Sequence, residues 1–90
     1  MRALPTDLEL KTLYFSFKRQ EDFSDANVQL WTNSFDPRFM MTASHEKDGH
    51  VRLDFYRESD QLLSGYNMQA FMHVVTEYMF HYTHMTALTN

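Results

Sequence analysis

The stretch GYNMQAFMHVVTEYMFHYTHM, Gly65 to Met85, decides how this chain folds. Its apolar residues recur at helical spacing, and across residues 61–90 only Glu77 carries a formal charge. At about 100° per residue, Met68, Phe71, Met72, Val75, Tyr78, Met79, Tyr82 and Met85 share one face. A sheet under that face would bury it. The Met residues then read as core filler rather than a cofactor pocket, because an unbranched thioether fits irregular gaps. We expect a helix from about Tyr66 to Met85, capped by Ser59, Asp60 or Ser64.

The opposite arc holds Gln69, His73, Thr76, Glu77, Phe80, His81 and His84, with Val74 and Ala70 at its edge. A surface helix normally turns charge toward water, and here that face has almost none. Interface cores are poor in charge and rich in aromatics and Met. The arc therefore reads as a contact centred on Phe80, made with a second copy or with another protein. The competing reading folds the N-terminal segment, or the loop around Phe23, over Phe80. His73, Glu77, His81 and His84 fall within about a quarter of the helix circumference. Glu77, His81 and His84 could surround a Zn²⁺ ion. Ligands from a single helix seldom complete a tetrahedron, however, and the sequence lacks an HExxH motif. Three imidazoles beside one carboxylate would also make such a contact sensitive to acid.

Working toward the N-terminus, Asp48-Gly49 is the strongest turn signal, because a tight hairpin needs positive φ angles. It joins strands at Phe39 to Glu46 and His50 to Arg57. A two-residue turn sets Lys47 against His50, Ser44 against Leu53 and Thr42 against Phe55. Val51, Leu53 and Phe55 then share one face, and Arg52, Asp54 and Tyr56 share the other. Asn27 to Ser34 alternates Val28, Leu30 and Thr32 against Gln29, Trp31 and Asn33, as a strand does. Phe35-Asp36-Pro37-Arg38 is a turn, Gln20 to Ala26 is a loop, and Glu58 to Ser64 leads into the helix. Residues 8–19 carry two patterns. Thr6 and Glu9 fit a capping box that would start a helix, whereas the alternation around LYFSF favours a strand, and we expect the strand. The fold class is α+β: a small antiparallel sheet of three to four strands against one long C-terminal helix, with a short N-terminal helix as the alternative.

Ninety residues set the expectation of one α+β domain over 1–90. The formal charge of −4 and the absence of a basic stripe argue against general binding of nucleic acid phosphates. The chain has no Cys, which removes disulfide and thiol chemistry and suits a reducing compartment. MRALPTDLELK lacks the apolar run of a signal peptide. The closing helix is interrupted by polar residues too often to span a bilayer. We expect a cytoplasmic protein without a membrane partner.

Catalytic arrangements are absent. Ser44 and His45 would point to opposite faces of a strand, the acids of the loops lack calcium-site spacing, and two Gly cannot form a phosphate loop. A second reading sets Tyr14, Trp31 and Tyr56 on an outward sheet face to stack single-stranded bases, with Lys11, Lys18, Arg19, Arg52 and Arg57 nearby. The acidic balance weighs against it. The reading that remains is a non-enzymatic interaction protein that needs no cofactor. It would act as an accessory or inhibitory factor by occupying a partner's surface, with Phe80, Trp31 and Tyr56 as anchors and homodimerisation through the last helix.

Overall fold

A computed structural model describes residues 4–14 and 16–89, with side chains for 4–11 and 16–81. Helix α1 (Asp7–Tyr14) precedes five strands: β1 (Phe17–Arg19), β2 (Val28–Asn33), β3 (Phe39–His45), β4 (Val51–Arg57) and β5 (Asp60–Gly65). Helix α2 (Met68–Thr89) closes the order. The strands form one antiparallel meander in sequence order. The architecture is α+β, as expected, with five strands in place of three to four.

The capping box decides the N-terminal segment in favour of the helix. Glu9 N–H donates to Thr6 Oγ1 at 3.0 Å, and Thr6 N–H donates back to Glu9 Oε1 at 3.3 Å. These bonds satisfy donors that a helix start otherwise leaves orphaned. Leu10 then enters the core at 2 % exposure, and the strand shrinks to Phe17–Arg19. This corrects the strand expected over residues 8–19. Tyr14 lies in α1, and its side chain is outside those described.

The second correction is β5. Asp60 to Gly65 pairs with β4 instead of leading into the helix, so the cap moves to Asn67. Its Oδ1 accepts Ala70 N–H at 3.0 Å, and its carbonyl accepts Phe71 N–H at 2.9 Å. The third concerns register. Ser44 pairs with Arg52, Ala43 with Leu53 and Met41 with Phe55, one place away from the two-residue-turn alignment. The loop holds three residues, Lys47, Asp48 and Gly49, closed by Glu46 N–H to the His50 carbonyl at 2.9 Å. Gly49 sits at φ 89°, which a residue with a side chain rarely adopts.

The core fills one side of the sheet. Phe71, Met72, Val75 and Met79 of α2 are buried against Phe39, Met41, Leu53 and Phe55. Phe55 stacks on Phe39 with centroids 5.7 Å apart and meets the edges of Phe17 at 6.4 Å and Tyr78 at 5.6 Å. Burying each such ring stabilises the fold by about 1.5–3 kcal/mol. Trp31 belongs to this core at 0 % exposure, which overturns its expected place on an outward aromatic face. The loop around Phe23 does not fold over Phe80, because Phe23 itself is 72 % exposed.

Two buried polar groups are organised differently. Asn33 donates from Nδ2 to Ser16 Oγ at 2.7 Å and accepts Phe35 N–H and Asp36 N–H at 2.9 Å each, so it holds the β2–β3 turn. Asp54 is 6 % exposed and accepts a hydrogen bond from Arg52 Nε at 3.1 Å.

Asn67→Ala should lower unfolding stability by about 1 kcal/mol, and Asn67→Asp should restore most of it. Urea unfolding followed by circular dichroism measures both.

Candidate docking surface

The expected partner-binding residues fall into three places. Five lie on α2. His73, Glu77 and His81 are exposed, Thr76 is half-buried, and Phe80 is 68 % exposed with its ring edge-on to His81. His73 Nε2 and Glu77 Oε1 pair at 3.1 Å, one turn apart. The His84 side chain lies outside those described. Trp31 is in the core, and Tyr56 is half-buried on the opposite side of the sheet. Trp31 and Tyr56 therefore form no common aromatic edge, and the base-stacking platform loses its largest ring.

No helix among the described residues is long and apolar enough to cross a membrane. Among those residues, no group of three or more His, Asp or Glu side chains could hold a metal ion.

A surface that sequence reading missed runs along β5. The two grooves between β5 and α2 have volumes of about 160 and 220 Å³. The smaller is lined by Phe55, Leu62, Leu63, Val74, Val75 and Tyr78. The larger continues past Gly65, Tyr66 and Ala70. Leu62, Tyr66 and Val74 are 36 %, 49 % and 45 % exposed along this line. An irregularity opposite Phe55 and Tyr56 creates the first groove. Gln61 pairs with Tyr56 and Leu63 with Phe55, which leaves Leu62 as an extra bulged residue. A bulge can turn two consecutive side chains to one face, and both leucines line the helix-side groove. The adjacent Leu pair, breaking strict alternation, was the sequence signal for it.

The two edges of the sheet differ. At β1, α1 packs alongside and Asp7 Oδ1 accepts Arg19 N–H at 3.3 Å. At β5, no hydrogen bond among those described joins the outer edge to another segment. The strand carries one charge, Asp60, at its start. Edge strands are usually guarded by inward charge, Pro or a covering element; among the described residues β5 has only Asp60, at its start.

Compared with known protein families, curated proteins and solved structures, the chain matches none.

At the end of this surface, Tyr66 O–H donates to Glu46 Oε1 at 3.0 Å, with the Tyr66 ring against His50. That bond to a carboxylate pushes the phenol pKa up, since ionising it would place two negative charges together. Stability from this bond is present below the ordinary tyrosine range and is lost as pH rises through the raised folded value. Glu46→Gln should lower the titration point of Tyr66, read by ultraviolet difference absorbance. Separately, Trp31→Ala should cost about 3–5 kcal/mol of stability, as expected of a core ring. A single-stranded oligonucleotide should leave Trp31 emission unchanged.

Proposed function

We propose that this protein is a non-enzymatic interaction module that docks on another protein through the outward arc of α2. It acts by occupying the partner's surface and performs no chemistry itself. The observation that carries this reading is Phe80, a large ring 68 % exposed in a helix whose described outer arc has one formally charged side chain, Glu77. Exposed aromatics ringed by uncharged polar groups resemble the centre of an interface more than ordinary surface. His73, Thr76, Glu77 and His81 supply the polar rim, and the His73–Glu77 pair already neutralises part of it when the imidazole is charged.

The corrections narrow the contact set. Trp31 leaves it because the ring packs inside, and Tyr56 leaves it because it lies across the sheet from α2. Single-stranded nucleic acid binding has less to support it once the stacking face is reduced to Tyr56. The described side chains also offer no convergent metal set.

Phe80→Asp should abolish partner binding and leave the fold intact. Losing a central aromatic anchor costs about 2 kcal/mol or more, which is roughly thirtyfold or more in affinity. The measurement is site-specific photo-crosslinking from position 80 in the native host, with position 47 in the β3–β4 loop as the remote control. A defined adduct at 80 and none at 47 supports the reading, as does loss of the complex in Phe80→Asp at unchanged melting temperature. Equal crosslinking at both positions, or an unfolded Phe80→Asp variant, sinks it.

A further inference from the structure

The strand β5 carries an inference about the partner on its own side of the molecule. We propose that β5 is the seam of a two-fold homodimer, in which Asp60–Gly65 of two copies pair antiparallel and continue one sheet across both. The inference rests on reading the β5–α2 side as a contact surface, and it is independent of what the outer arc of α2 meets.

Three observations select a second copy as the occupant. The first is the difference between the edges: α1 and Asp7 shield β1, while the outer edge of β5 has no described partner. The second is facing. Asp60 pairs with Arg57, whose guanidinium reaches Tyr78 Oη at 3.5 Å on the helix side. Gln61 and Ser64 pair with Tyr56 and Asp54 on the open side. Leu62 and Leu63 line the helix-side groove, and Gly65 pairs with the core residue Leu53. The facing order from 60 to 65 is therefore helix, open, helix, helix, open, helix. It reads the same in both directions, and only the bulge makes it so. A regular strand of six residues would bring opposite faces together about this midpoint. With the bulge, a two-fold axis between Leu62 and Leu63 sets like faces opposite each other.

The third observation is chemical. That axis places Leu62 against the second copy's Leu63, Gln61 against its Ser64, and Asp60 against its Gly65. Apolar meets apolar, amide meets hydroxyl, and the only charge meets a residue without a side chain. No like charges face each other, which an antiparallel pair would penalise. Strand pairing alone is small beside the roughly 1,200 Å² or more typical of a stable interface. The grooves supply the remainder, because the axis brings the Val74 flanks of two α2 helices to either side of the four leucines.

The test uses the full chain. Sedimentation velocity across a wide concentration series should give twice the 10.8 kDa chain mass at the upper end. Leu62→Lys and Ser64→Lys place a charge at the seam and should each raise the dimer dissociation constant at least about tenfold, with an unchanged circular dichroism spectrum. Amide hydrogen exchange provides a reading without substitution: protection at residues 61–64 should rise with protein concentration. The proposal is overturned by a wild type that stays monomeric throughout, or by exchange at residues 61–64 that ignores concentration. It is equally overturned by a dimer that both Lys variants leave intact while Phe80→Asp disperses it, since that assigns the contact to the arc of α2. A monomeric wild type that still loses its partner on Phe80→Asp removes the dimer and leaves the docking reading standing.

Discussion

A five-stranded sheet with helices on one side has to gather its stability on that side, and here the gathering point is Phe55. Its ring lies flat on Phe39 and takes the edges of Phe17 and Tyr78, so β1, β3, β4 and α2 meet at one side chain. Offset and edge-on contacts of this kind add to what the buried area alone provides. The phase of α2 follows from this contact. With Tyr78 against Phe55, Val75 and Met79 point down into the sheet, and Phe80 and Glu77 must point away. The exposed arc is thus a consequence of core packing.

Polar groups were fitted around that core at some cost. Asn33 makes three hydrogen bonds, one donated and two accepted, which replace most of what water would have offered. Trp31 is different, because its Nε1 is buried without a hydrogen-bond partner. An unmet donor costs about 1–3 kcal/mol, an amount the burial of so large a ring can offset. Arg19 Nε, Gln29 Oε1 and His45 Nδ1 share this condition, and all four atoms belong to strands β1 to β3. Among the described residues, the buried side-chain atoms without a partner therefore lie away from β5 and the groove beside it.

The sequence was most legible where pattern and chemistry agreed. The core face of α2 could be read from spacing, and Phe71, Met72, Val75 and Met79 lie where the spacing put them. Strands β2, β3 and β4 were also visible as alternation. The face of β2 was not, because Val28 and Leu30 look as apolar as Trp31 and only the tertiary fold decides which side is covered. Residues 7–14 satisfied two patterns at once, and a capping box of two hydrogen bonds settled what alternation could not. Strand β5 went unseen for two reasons. Its hairpin turn places Glu58 at φ 56° without a glycine to announce it, and its bulge breaks the alternation a strand should show. Of the candidate site, the arc of α2 was readable, whereas the groove exists only once β5 is recognised as a strand.

The shielded margin at β1 has a consequence for growth. A sheet with two unguarded margins can recruit copies without limit and lengthen into a fibre. Among the described residues this one offers a single such margin, at β5, so a pairing event there would use it up, and Asp7 with α1 stands where a third copy would have to begin. If two copies join through β5 as proposed, the association is finite: it saturates at a pair instead of elongating toward amyloid.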